Sequence, residues 1–394
     1  MIREIAIHNF KSIQDLELSL GRVNVFIGAN GAGKSNILEA LAMSSAAADH
    51  KLDSEFLASR GIRIPGDPRL MRAAFERQNV EQSIHATVRT DTGNEFTCSL
   101  TKDNNDPYSS WLNQTVDYDV KLIRNFIVSL STLLGRAFPQ ELDENLCYED
   151  EPSPADVNAT LQRLESRIEQ THSELRGFLI YSPEYSRLRV FEDESQIQPL
   201  GIRGEGLFRL FKLQSLEPDS GWLETIREKL KMFDWFDDLS VPEGLSPTER
   251  RLEIRDRYLD DSLAYFDQKS SSEGFLFVLF YPCLLLSKDT PRFFAIDNVD
   301  TSLNPSLYTR LMIEIGRLTA EQEKQVIVIT HNPAALDGLD LNDDEQRLFV
   351  VSRNKTGLTR VRRVPAPSPS NGAVPIRLSE AFVRGYLGGL PSAF

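Results

Sequence analysis

The residues Gly28-Ala29-Asn30-Gly31-Ala32-Gly33-Lys34-Ser35 follow the spacing G-x-x-x-x-G-K-[ST]. Glycines at these intervals let consecutive backbone N–H groups curl around an anion at a helix N-terminus, and a lysine with a hydroxyl beside it suits a phosphate chain. Lys34 is expected to reach β- and γ-phosphates and Ser35 to ligate Mg²⁺, with Asn30, Gly31, Ala32, Gly33 and Asn36 completing the cradle. Such a site needs a second carboxylate at the end of a neighbouring buried strand to hold the water shell of the metal. Phe293-Phe294-Ala295-Ile296-Asp297 offers one, so Ser35 and Asp297 are the expected metal pair. Further on, Val326-Ile327-Val328-Ile329-Thr330-His331 reads as another buried strand, and His331 at its end is expected to sense the γ-phosphate.

The elements that must position these groups are legible as periodicities. Val23 to Ile27 is apolar but for Asn24, as for a strand covered on both faces, and Asn36 to Ala48 is rich in helix formers, so the loop lies between strand and helix. Ile5 and Ile7, then Leu16, Leu18 and Leu20, alternate with polar residues, which predicts two half-buried antiparallel strands. Ser83 to Arg89 and Glu95 to Leu100 alternate around the turn Thr90–Asn94, a hairpin pattern. From Asn104 to about Arg176 the pattern turns helical, but the stripe Leu161, Leu164, Ile168, Leu175 is too short for a long coiled-coil arm. Phe178 to Tyr181 reads as a strand, Trp222 to Phe236 as an amphipathic helix, and Phe275 to Leu286 as a buried helix carrying Pro282 and hence a kink. A helix over Leu307 to Leu318 precedes the His331 strand; a linker rich in Pro, Ser and Gly (Pro365 to Pro375) leads to a last short helix near Leu378 to Leu387.

Composition narrows the class. The chain has 394 residues, 41% hydrophobic and 26% charged, values of a soluble globular protein that exclude a disordered or fibrous one. Its longest apolar run, Gly274 to Leu286, falls short of the roughly 18 to 20 residues of a membrane span, and the N-terminus lacks the layout of a secretory signal. Cys98, Cys147 and Cys283 are odd in number and scattered, which points to a reduced, cytoplasmic setting without membrane association. A net charge of −14 argues against a surface that coats nucleic acid. Two local basic segments leave a DNA or RNA contact open: Arg60, Arg63, Arg69, Arg72 and Arg77 outnumber Asp67 and Glu76, and Arg360, Arg362 and Arg363 form the second.

The strings IHNFKSI (7–13), GANGAGKSN (28–36), FFAIDNVDTSLNP (293–305) and VIVITHNP (326–333) together resemble the ABC-class ATPases of the RecF and SMC type. More narrowly they are similar to the bacterial AAA family ATPases of anti-phage systems, such as the OLD-type and Septu ATPases. The resemblance implies an α/β P-loop NTPase head of ABC type, a mixed central sheet with an antiparallel β layer, interrupted by a helical lobe. The expected division is 1–103 and 261–364 for the two parts of the head, 104–260 for a mostly helical insertion, and 365–394 for a linker and docking helix. It also implies ATP and Mg²⁺ as cofactors and a head-to-tail dimer in which a Ser-x-Gly turn completes the site of the opposite subunit. Ser272-Glu273-Gly274 fits that turn, Leu303-Asn304-Pro305 the loop facing the partner, and Phe10-Lys11-Ser12 the segment beside adenine and phosphates. In the family a Glu usually follows the metal-site Asp and activates water, whereas this chain has Asn298, with Asp300 as a substitute. Hydrolysis is therefore expected to be slow. The Mg²⁺-sensing glutamine is Gln196 or Gln198 by chain order alone.

The expected function is an ATP-binding and hydrolysing subunit, the sensor or motor of an anti-phage system. The five histidines are scattered and form no HNH cluster, so the effector, such as a nuclease, is expected on a separate chain. Two alternatives stay open: a RecF-like ATPase acting on DNA directly, and an ATP-bound regulatory scaffold with little hydrolysis.

Overall fold

A computed structural model describes residues 1–104, 109–115, 174–191, 199–216, 221–299, 303–366 and 376–388, apart from positions 74, 76, 81, 247 and 264. In chain order the elements are β1 (Ile2–Phe10), β2 (Ile13–Ser19), β3 (Val23–Ile27), α1 (Lys34–Ala48), α2 (Ser54–Ser59), β4 (Ile84–Thr90), β5 (Glu95–Thr101), β6 (Leu112–Asn113), β7 (Ile180–Tyr181) and α3 (Tyr185–Val190). Then come α4 (Leu207–Ser215), α5 (Trp222–Leu230), β8 (Phe236–Ser240), β9 (Glu253–Asp256), β10 (Phe266–Asp267), α6 (Glu273–Leu286), β11 (Phe293–Ile296), α7 (Pro305–Glu321), β12 (Gln325–Ile329), β13 (Gln346–Arg353), β14 (Thr359–Val364) and α8 (Leu378–Val383).

The central sheet has six strands in the order β14-β13-β3-β12-β11-β7, all parallel except β14, which pairs antiparallel with β13. Its inner strands β3, β11 and β12 are buried along their whole length because each face of the sheet is covered there. Val23, Val25 and Ile27 enter a core shared with α4, α5, α6 and α7, while Phe26 enters a second core with Phe349, α1 and β1. That second core is closed by an antiparallel sheet in the order β2-β1-β4-β5-β6, whose alternation buries Ile5, Ile7, Ile84, Ala86 and Val88 and leaves His8 and His85 exposed. Two buried amide side chains tie these layers together. Asn24 accepts from the Gly21 N–H at 2.9 Å and donates to the Gly21 carbonyl at 2.8 Å. Gln325, 3% exposed, accepts from the Ile2 N–H and donates to the Ile2 and Gly21 carbonyls, which fastens the antiparallel layer to the start of β12.

Three features differ from the sequence expectations. The Trp222 helix ends at Leu230, and Phe236 opens a strand of a small sheet β10-β9-β8, so segment 104–260 is not uniformly helical where it is described. A register shift between the Phe236 and Asp238 pairs hides the period of two in β8, leaving Phe236 and Leu239 at a spacing that mimics a helix. The same segment lends β7 to the central sheet, beside β11. Lastly, β13 and β14 form an unanticipated hairpin at the sheet edge, and α8 packs back on the head: Phe382 joins the core and Ser379 bonds Asp337 through its N–H at 3.0 Å and its hydroxyl at 2.7 Å. Most of the expected 104–176 helical stretch, Cys147, Gln196, Gln198 and Asp300 lie outside the described residues.

Candidate nucleotide site

Parallel register decides which residues meet. Ile296 pairs with Val328 and Val328 with Val25, so β11, β12 and β3 end within two residues of one another, and Asp297, His331 and the loop from Gly28 leave the same edge of the sheet. There the Ser35 hydroxyl donates to Asp297 Oδ2 at 3.0 Å, joining residues 262 apart in sequence. A hydroxyl and a carboxylate are hard oxygen donors, the set that suits Mg²⁺. Lys34 is 5% exposed, and its ammonium lies inside the loop, donating to the carbonyls of Gly28 at 2.8 Å and Ala29 at 2.9 Å.

Loop shape explains two glycines. Gly28 has φ +149°, and a Cβ there would stand 2.0 Å from the Val351 carbonyl oxygen; Gly33 has φ +107°, and its Cβ would stand 2.0 Å from Thr359 Oγ1. Asn30 and Gly31 form the exposed tip, while Ala32 is buried. Gly33 N-caps α1 and offers no side-chain acceptor, so the leading N–H groups of a 15-residue helix face the loop with their positive dipole end. This cradle fits the phosphates of ATP.

The neighbouring segment is held more tightly than its expected role requires. Lys11, at φ +47°, donates its ammonium to Glu39 and to the Arg63 carbonyl, and Arg63 Nε also reaches Glu39, a carboxylate 1% exposed one turn along α1 from Ser35. Burial pushes the Lys11 amine below its ordinary value and the charge of Glu39 opposes this. Lys11 is thus committed to an internal ion pair, whereas Ser12 faces the loop: its hydroxyl accepts from Asn36 Nδ2 at 2.7 Å.

The other expected site residues sit apart or at the rim. Asn298 follows Asp297 with φ +59° and is exposed, and His331 is exposed at the end of β12. Ser272 N-caps α6, accepting from the Phe275 N–H at 3.4 Å; together with Gly274 it makes no described hydrogen bond to loop 28–35 within the chain. Asn304 N-caps α7 and accepts from the Leu307 N–H at 2.9 Å.

Of the basic segment that left a nucleic-acid contact open, Arg60 and Arg72 are spent on internal structure. Arg60 is 6% exposed and pairs with Asp49 while donating to the Phe178 carbonyl; Arg72 is 2% exposed and donates to Asn104 and to the Gln82 and Lys102 carbonyls. Arg69 pairs with Asp67. In β14, Arg360 and Arg362 point to one face and Arg363 to the other, where Arg363 pairs with Asp344. A residue that sequence reading missed lies at the heart of the site: Thr359, 1% exposed, donates to the Ala32 carbonyl at 3.0 Å. Its only sequence signal is a threonine just after Thr356-Gly357, a turn in the hairpin.

Fold and nucleotide loop define a P-loop protein of the AAA ATPase class. Residues 23–337 match the family described as "AAA domain, putative AbiEii toxin, Type IV TA system", and the chain belongs to it. A stretch of 91 residues is 34% identical to the OLD nuclease of Thermus scotoductus, covering 23% of this chain and 15% of that protein. Another of 44 residues is 52% identical to the uncharacterized protein MJECL10 of Methanocaldococcus jannaschii, covering 11% of this chain and 20% of that one. The matches therefore span a fifth or less of these relatives. The crystal structure of an SMC head bound to the C-winged helix domain of ScpA aligns with a TM-score of 0.54 at 16% identity, over 92% of this chain and 98% of that one, a likeness of fold.

Proposed function

We propose that this chain binds ATP with Mg²⁺ between two head-to-tail copies and hydrolyses it slowly, as the sensor or motor subunit of an anti-phage system that governs a separate effector such as a nuclease. The observation that carries the ATP site is the 3.0 Å bond between Ser35 and Asp297. In this reading the N–H groups of Gly31 to Asn36 hold the phosphates and Lys34 balances their charge. Ser35 and Asp297 hold Mg²⁺, which when bound withdraws charge from the phosphate oxygens. Asn298 orients a water molecule through its amide but cannot take its proton, and Asp300 would be the nearest carboxylate in sequence to do so. His331 senses the terminal phosphate from the rim. Ser272, at the head of α6, serves the partner copy rather than its own loop, in keeping with its having no described bond to it. Segment 104–260 acts as an insertion that also lends β7 to the head, and the local likeness to a protein named OLD nuclease is in keeping with a link to a nuclease.

An amide where a base is usual also favours an ATP-held scaffold, in which binding rather than turnover sets assembly. Titration of the full chain with fluorescent ATP tests the site: Lys34→Ala should weaken binding at least tenfold, and equal affinity of wild type and variant would remove loop 28–35 from the function.

A further inference from the structure

Thr359 opens β14 directly over the nucleotide loop, and its N–H donates to the Ser12 carbonyl at 2.7 Å. A threonine hydroxyl carries one proton, and this one goes to the Ala32 carbonyl at 3.0 Å. The 2.6 Å contact with Ser12 Oγ must then run the other way, Ser12 donating and Thr359 accepting, while Ser12 accepts in turn from Asn36 at 2.7 Å. The result is a one-directional chain of donors, Asn36 to Ser12 to Thr359 to the Ala32 carbonyl, that joins the loop at Ala32 to the first turn of α1 through a residue more than 300 positions along the chain. The peptide plane between Ala32 and Gly33 is rigid, with its C=O and N–H pointing in opposite directions. Pinning the Ala32 carbonyl outward on Thr359 therefore aims the Gly33 N–H inward, toward the anion cradle. Gly33 lies flat against both hydroxyls, since a Cβ there would be 2.0 Å from Thr359 Oγ1 and 2.8 Å from Ser12 Oγ.

We propose that Thr359 is a positioning residue of the nucleotide site: it touches no phosphate, but by fixing the Ala32–Gly33 peptide it keeps the loop in its phosphate-accepting shape. The proposal rests on the reading of loop 28–35 as the ATP site. Because the loop serves phosphates shared by ATP and ADP, and not the base, loss of the hydroxyl should weaken ATP, ADP and GTP by one common factor.

The test uses the full chain as wild type, Thr359→Val, Thr359→Ser and Ser12→Ala, with fluorescent analogues of the three nucleotides, thermal melting and steady-state turnover. Thr359→Val keeps the shape and removes the donor, and is expected to weaken every nucleotide roughly tenfold and to raise the KM for ATP by a like factor. Thr359→Ser restores the hydroxyl and should bring affinity back, and Ser12→Ala, which breaks the same chain one link earlier, should weaken all three as well. A Thr359→Val protein with lowered melting temperature but unchanged nucleotide affinity overturns the proposal, leaving Thr359 a packing residue. If Thr359→Val fails to fold, Ser12→Ala decides: unchanged affinity there overturns the proposal too. Wild type that binds no nucleotide overturns the ATP reading and this inference with it, an outcome distinct from tight wild-type binding that the variants leave intact.

Discussion

Lys324 offers a prediction that can be worked through in numbers. It follows α7, is 3% exposed, and donates to the carbonyls of Leu284 at 3.0 Å and Ser287 at 2.8 Å and to the Thr290 hydroxyl, so it caps the C-terminal end of α6. Burial, with Arg292 adding repulsion and Asp289 opposing it, pushes the amine down to about 7. In the unfolded chain it titrates near 10.5. Between these values the unfolded chain holds more protons than the folded one, so stability rises with pH across that window and is flat below it. The slope approaches about 1.4 kcal/mol per pH unit, and from pH 7 to pH 9 the gain is about 2 kcal/mol, less than the full slope because the folded amine is half protonated at the start. Lys324→Met keeps the straight side chain and loses the titration. Urea unfolding of both proteins at several pH values isolates the effect, since every other group is common to the pair. The wild-type stability minus that of Lys324→Met should climb by about 2 kcal/mol over pH 7 to 9. Parallel curves would refute the reasoning, showing that three acceptors keep the amine charged in spite of its burial.

Two further outcomes follow from single side chains. Asn298→Glu supplies the missing base next to Asp297 and should raise steady-state ATP hydrolysis by about a hundredfold or more; a wild-type turnover of roughly 10 per second, typical of enzymes, would show that no base is missing. Tyr181, fully buried in β7, has a hydroxyl with no partner among the described residues, and burial raises its pKa far above the ordinary value. Tyr181→Phe should stabilise the fold by about 1 kcal/mol in urea unfolding, and a loss of that size would mean the hydroxyl is bonded.

The sequence disclosed the nucleotide loop, the Asp297 strand and the His331 strand because each joins a nearly continuous apolar run to an abrupt glycine or polar end. The hairpin of β4 and β5 showed through strict alternation around its turn. The meeting of Ser35 with Asp297 was legible as a chemical requirement, since neither completes a metal pair alone. Thr359 was not, because what makes it important is the stacking of β14 on Ser12 and Ala32, and nothing local to Thr359-Arg360-Val361 records that. For a related reason the partners of the arginines in 60–77 could not be read. Charge can be counted in a sequence, but whether Arg60 meets Asp49 and Arg72 meets backbone carbonyls is decided by tertiary packing. Lys11 is the same case within the site, its charge taken up by Glu39, a residue an eye for phosphate ligands passes over.

The position of β3 has a consequence for how the protein is made. This strand leads into the nucleotide loop and leaves the ribosome well ahead of its two neighbours in the sheet, β12 and β13, which begin at residues 325 and 346. Until then its row of Val, Phe and Ile has no partner, and a loop awaiting Asp297 and Thr359 has no fixed shape. Folding is thereby forced to be late and non-local, with the delay and exposure to aggregation that such contacts bring. A nascent chain that stalls before β14 carries the whole glycine loop without the strand that fixes its shape, so on the proposed reading nucleotide binding would report that translation had passed the β13–β14 hairpin.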